Sequence, residues 1–242
     1  MKVIIVRNKN EGGARAAKLV SDIIQNKKNC TLGLATGKTM IPFYRALISA
    51  AHTKKIDFSR VKTFNIDEFY GLNTPEKGSF RHFMDSHFFH RVNISKKNIH
   101  FLDGKKKDYK KECNEYERAI KHKEGIDIAI VGIGKNRHIG FNEPGSSFAS
   151  RTRKVRLRDE TRHANAWLFE SFSRVPQYAL TMGIETILAS RKIILLAFGK
   201  EKATAVAATF KHVTQQVPAS VLQRHTNVTF IIDRAAAKRV FK

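Results

Sequence analysis

Short apolar runs alternate along the chain with longer stretches in which apolar residues recur every three or four positions. Val3 to Val6 precedes a helical pattern over Ala14 to Gln25, and Leu32 to Ala35 precedes another from Thr39 to about His52. A brief apolar run fits a strand buried on both faces, whereas the longer spacing fits a helix with one face in the core. The rhythm continues with Val61 to Asn65, a helix-like Ser79 to Phe89, a charged helix over Asp108 to His122 and a strand over Ile126 to Val131. Strands over Lys192 to Phe198 and Val228 to Ile232 close it. This alternation predicts an α/β fold, a doubly wound, mostly parallel sheet with helices on both faces. No repeat, low-complexity tract or Pro/Gly-rich linker divides it, so residues 1–242 are expected to form a single domain.

Composition narrows the class. A chain of 242 residues that is 42% hydrophobic can bury one substantial core. Its apolar runs, such as Ile193 to Phe198, fall far short of the ~20 residues a membrane-spanning helix needs. Met1 to Val6 reads as a first strand rather than a secretory leader, which leads us to expect a cytoplasmic protein. Cys30 and Cys113 stand in no paired spacing, which argues against a disulfide framework or a zinc site. The charge is unusual: 45 basic against 21 acidic residues give +24, an attraction to phosphate-bearing partners of any kind. Much of it comes as Lys27-Lys28, Lys54-Lys55, Lys96-Lys97 and Lys105-Lys106-Lys107. Such groups at expected turns read first as solvated loops.

Ligands of a doubly wound sheet bind beyond the carboxyl ends of its strands, so the turns there carry the candidate chemistry. The first reads Thr36-Gly37-Lys38-Thr39 and opens a helix, offering backbone N–H groups as a phosphate seat. It is not a nucleotide P-loop, because Gly33 and Gly37 enclose three residues where that motif needs four. The second reads Ile66-Asp67-Glu68-Phe69. Adjacent carboxylates at a strand end project to opposite sides, so one can face the crevice as a proton acceptor while the other anchors the loop; a plain turn cap is the rival reading.

The third turn runs from Gly132 through Asn136, His138 and Glu143 to Gly145. Arg137 stands where a dinucleotide fingerprint would need glycine, so that motif fails. What remains is a histidine with an amide and a carboxylate close by, suited to passing a proton between two oxygens. Beyond it, Ser146 to Arg158 is dense in basic and hydroxyl residues, which fits either an arginine hold on phosphate or a basic surface strand. No groove-reading helix or aromatic platform accompanies it, and no specific nucleic-acid partner is expected.

Taken together, Leu32 to Gly37, Thr63 to Phe69, Gly132 to Gly145 and Ser150 to Arg153 closely resemble the glucosamine-6-phosphate deaminase family, in this order and at similar spacing. Val175-Pro176, Ala179 to Ile184, Pro218 to Ser220 and Ile232 to Arg234 extend the resemblance over essentially the whole chain. It implies a modified Rossmann-like fold and the conversion of glucosamine 6-phosphate and water to fructose 6-phosphate and ammonium, with no metal and no cofactor. By the same resemblance His138 would open the pyranose ring with Asn136 and Glu143 orienting it, and Asp67 would move a proton from C2 to C1. Thr36, Gly37, Lys38 and Thr39 would hold the substrate, and Lys202 matches the family's phosphate-binding lysine. The amino-sugar phosphate would be the only partner, with no membrane; monomer and homo-oligomer stay open.

Four positions depart from the family pattern. Lys38 stands where a small residue is usual, Met40 replaces a common proline, and Arg137 replaces a glycine beside the histidine. Lys38 would strengthen phosphate binding, fill the pocket or strain the backbone. Trp167 falls where the family offers an arginine to the phosphate, a lost contact worth ~1.5 to 3 kcal/mol unless Lys38 or Arg137 supplies the charge. A chain ending at Lys242 lacks the longer tail of the allosterically regulated members, so no such control is expected. The rival functions are a related sugar-phosphate isomerase or lactonase, and a basic phosphate- or nucleic-acid-binding protein on an impaired deaminase fold.

Overall fold

A computed structural model describes residues 1–53, 56–73 and 76–240; the Lys54-Lys55 doublet lies outside the described residues. The first half runs β1 (Lys2–Val6), α1 (Lys9–Asn26), β2 (Thr31–Leu34), α2 (Ile41–Thr53), β3 (Lys62–Asn65), β4 (Asp67–Phe69), α3 (Phe80–His87), β5 (Ile99–His100), α4 (Tyr109–His122) and β6 (Ile128–Gly132). The second runs β7 (Arg153–Arg156), α5 (Asp159–Asn165), β8 (Tyr178–Thr181), α6 (Ile184–Leu188), β9 (Ile193–Ala197), α7 (Ala203–Thr209), β10 (Val228–Asp233) and α8 (Arg234–Ala237).

Seven strands form a parallel sheet in the order β1-β10-β9-β6-β2-β3-β5, packed between helices. Every residue of β2, β9 and β10 is buried, which is why β9 reads as an unbroken apolar run and β2 and β10 as mainly apolar stretches rather than alternating ones. Helix α1 begins at Lys9, earlier than the apolar spacing predicts, since Gly12-Gly13 depress helix propensity. The Asn8 side chain nonetheless accepts from the Asn10 and Glu11 amides and caps it. After β2 the chain builds β3 and β5 on one side, then returns to lay β6 on the other. That reversal makes the carboxyl ends of β2 and β6 the switch point, where doubly wound sheets open a crevice.

A second, antiparallel sheet in the order β4-β8-β7 was not foreseen. Ile66 joins the two: its amide donates to Leu34 O of the parallel sheet, and its carbonyl accepts from Met182 N beside β8. Asp67 therefore sits where the chain leaves one sheet for the other, paired with Thr181. Beneath the small sheet Phe69 packs with Phe80 and Phe141. The basic segment becomes β7, where the Lys154 ammonium lies 3.9 Å from the Tyr70 ring centroid, 4.6 Å from Tyr178 and 5.0 Å from Tyr109. This three-ring cage ties β7 to β4's extension and to α4.

Cys30 and Cys113 are buried free thiols, and burial pushes them up to about 12 and about 11. Among the described residues no helix is long and apolar enough to cross a membrane.

Candidate active site

A cavity of about 300 Å³ opens at the switch point. Thr36, Gly37, Lys38 and Thr39 line it from the turn after β2, where Gly37 has φ +108°, a conformation that glycine adopts without the clash a Cβ would bring. The following residues, Lys38–Met40, form a single 3-10 turn that leads into α2. Asp67, Asn136, His138 and Lys202 line the same cavity from the turns after β3, β6 and β9. Glu143 does not reach the cavity wall; it lies behind Asn136 and His138.

Asp67 is only 6% exposed, and among the described residues no group donates a hydrogen bond to its carboxyl. Burial first, and the neighbouring Glu68 second, raise its pKa well above the usual carboxylate range. Glu68 turns the other way. It accepts from the Phe69 and Phe80 amides at 2.8 Å and from Arg81 N at 2.9 Å, fixing β4 to the start of α3. Burial outweighs these donors and pushes Glu68 up to about 7. The backbone of Gly140 passes beside the Asp67 carboxyl, bringing the third turn against the second.

The histidine cluster is built around Glu143. Its Oε2 accepts from Asn136 Nδ2 at 2.6 Å and lies 3.7 Å from His138 Nδ1, while Oε1 accepts from Arg158 N at 3.3 Å. Thr161, from α5, accepts from Asn136 Nδ2 at 3.2 Å and lies 3.4 Å from His138 Nδ1. Burial acts to raise the Glu143 pKa, but the contacts with His138, Thr161 and Arg158 N win, and the net shift is downward. With Nδ1 facing this group, Nε2 is left for the cavity. The imidazole lies across Gly134, where any side chain would collide with the ring.

At the other end, Lys202 Nζ donates to Ile133 O at 2.7 Å, so the turn after β6 holds the lysine that lines the cavity. Burial lowers its pKa; Glu201 opposes the shift and Lys135 adds to it. The basic arginines of the 146–158 segment point elsewhere. Arg151 pairs with Glu117 and Glu185, and Arg153 donates to Asn142 and Ser146. An arginine hold on the ligand by these two residues is therefore corrected: their partners are protein groups away from the cavity.

The departures resolve unequally. Lys38 is not among the residues with positive φ, so it adds no left-handed strain. Its ammonium lies 4.8 Å from the centroid of Trp167, and both line the cavity. Arg137 does not line it, so it supplies no charge there. Instead Arg137 sits at φ +77°, and its Nε is buried with no hydrogen-bond partner among the described residues. Arg137→Gly is expected to stabilise the fold by about 1 kcal/mol, since relief of both costs exceeds the entropy glycine adds to the unfolded chain. Thermal unfolding checks this, with a rise of about 2–4 °C expected. Arg137→Ala keeps the Cβ clash and serves as the control; a glycine variant melting no higher than the alanine one would disprove the strain.

Sequence reasoning missed Thr161, which bridges Asn136 and His138, and the meeting of Lys38 with Trp167. Neither carries a local signal, because α5 and its following turn reach the site only through the small antiparallel sheet.

Fold and pocket together define a Rossmann-like α/β protein with an acid–base pocket rather than a nucleotide-binding one. The chain belongs to the family described as glucosamine-6-phosphate isomerases/6-phosphogluconolactonase, whose model matches residues 9–231. It is 45% identical over 241 residues to the glucosamine-6-phosphate deaminase of Thermoanaerobacter pseudethanolicus, covering 99% of this chain and 95% of that one. It is 44% identical over 239 residues to that of Clostridium acetobutylicum, covering 98% and 99%. A solved monomeric glucosamine-6-phosphate deaminase superposes with a TM-score of 0.97 at 41% identity, over 99% of this chain and 100% of that one. The 6-phosphogluconolactonase of Thermotoga maritima, with a TM-score of 0.76 at 18% identity over 96% and 99%, shares the fold.

Proposed function

We propose that this chain is an enzyme that converts glucosamine 6-phosphate and water to fructose 6-phosphate and ammonium in amino-sugar breakdown. The observation that carries the reading is the pairing, in one cavity, of an unpartnered buried carboxyl at Asp67 with a histidine backed by a carboxylate. Deaminase relatives at 44 to 45% identity over nearly the full chain support it. The lactonase alternative has behind it only the shared family model and a likeness of fold at 18% identity.

His138 takes the proton from the O1 hydroxyl and delivers one to the ring oxygen as the pyranose opens. Glu143 stabilises the imidazolium formed between the two transfers. Asn136 cannot relay a proton; its amide instead holds Glu143 and Thr161 in place. Asp67 then removes the C2 proton while a proton of the C2 ammonium passes to O1, giving an enolamine; Asp67 returns its proton to C1, leaving a protonated ketimine at C2. Water adds there and ammonia leaves. The Thr36 to Thr39 turn and Lys202 hold the phosphate by amides and charge.

We read the enzyme as cytoplasmic, which the two buried free thiols support. The test is ammonia release from glucosamine 6-phosphate by the purified protein, with Asp67→Asn as control. No release by the wild type would sink the reading.

A further inference from the structure

Lys38 and Trp167 are distant in sequence and come from different parts of the fold. Lys38 follows β2 of the parallel sheet, whereas Trp167 lies in the turn 166–168 after α5, within the segment joining the strands β7 and β8. The same segment brings Thr161 to His138 at the cavity's other side. Lys38 is exposed, and Trp167 is 38% exposed and packs T-shaped with Phe83. The pair therefore bridges the cavity mouth. Among the described residues Lys38 has no carboxylate partner, and its ammonium rests on the indole. That contact is weaker than a charge-assisted hydrogen bond to phosphate, so a phosphate ligand can take the ammonium over. A lysine ammonium at the end of a flexible stem can make that turn, and an arginine fork is not needed.

We propose that Lys38 and Trp167 form a phosphate-responsive clasp: Lys38 parks on the indole in the free enzyme and turns to the substrate phosphate on binding. Lys38 is thus a specificity-determining residue for the phosphorylated sugar, acting from the mouth while Lys202 acts from within. Trp167 positions the ammonium when the pocket is empty and remains as an apolar wall when it is full. The proposal rests on the sugar-phosphate reading above, but its signal does not depend on turnover.

Trp167 is the only tryptophan in the chain, so its fluorescence reports the clasp directly. Titration with inorganic phosphate and with fructose 6-phosphate is expected to change the emission, and titration with glucosamine is not. Lys38→Met is expected to abolish the phosphate response and raise KM for glucosamine 6-phosphate about 10- to 100-fold, with kcat little changed. Trp167→Phe keeps a ring beneath the ammonium and holds KM close to wild type, whereas Trp167→Leu removes a contact that must break on binding and lowers KM; in the Lys38→Met background Trp167→Leu has no further effect. An unchanged KM or an intact phosphate response in Lys38→Met would overturn the clasp. A wild type that shows the fluorescence change yet releases no ammonia would leave the clasp standing and remove the deaminase reading.

Discussion

Asp67→Asn is expected to lower ammonia release by a factor of about 100 to 10,000, the usual contribution of a positioned general base, while the protein melts no lower than wild type. The second half follows from the carboxyl's surroundings. Burial and Glu68 raise the Asp67 pKa in the folded state. The stability carried by the neutral carboxyl is therefore complete below the unfolded value and is lost as pH rises through the folded one. Proton abstraction needs the ionised form, so activity climbs over the same pH range in which stability declines. Glu68, pushed up to about 7, loses stability in the same direction, so the difference between wild type and Asp67→Asn reports Asp67 together with its coupling to Glu68. Parallel profiles of kcat and melting temperature against pH check the argument. A variant whose melting temperature falls with pH as steeply as wild type would contradict it.

His138→Gln is expected to reduce kcat by a factor of about 100 or more, with little change in KM. Ring opening moves a proton between two oxygens, and glutamine of similar reach can do neither half of that exchange. Thr36 to Thr39 and Lys202, which we propose hold the phosphate, line the cavity from other turns and stay in place. Residual activity draws on substrate that opens in solution. Steady-state ammonia release measures the effect, and a kcat within about tenfold of wild type would assign ring opening to another group.

The parallel sheet was legible because its central strands are buried on both faces, so Leu32 to Leu34 and Ile193 to Ala197 stand out as unbroken apolar runs. The small sheet was not. Arg153 to Arg156 has a single apolar residue and half-exposed faces, and β4 begins with two carboxylates, so neither shows a period. The site followed the same division. Thr36, Asp67, His138 and Lys202 lie directly after strands, where local order in the sequence is also nearness in space. Thr161 and Trp167 arrive by way of β7 and α5, a route the sequence does not mark. Arg137 showed its departure from glycine at once, but its backbone angle and its unpaired Nε needed coordinates.

The cage around Lys154 bears on how the chain meets acid. With 45 basic and 21 acidic residues there are too few carboxylates to serve as counter-charges. Three tyrosine rings take that place for Lys154. A carboxylate partner is neutralised on acidification and releases its cation, as at Lys27 with Asp127. A phenol ring takes up no proton there and keeps its electron-rich face. The Lys154 contact thus persists in acid, whereas the carboxylate contacts of Arg151 and Thr152, just before β7, do not, so on acidification this joint comes to rest on the rings.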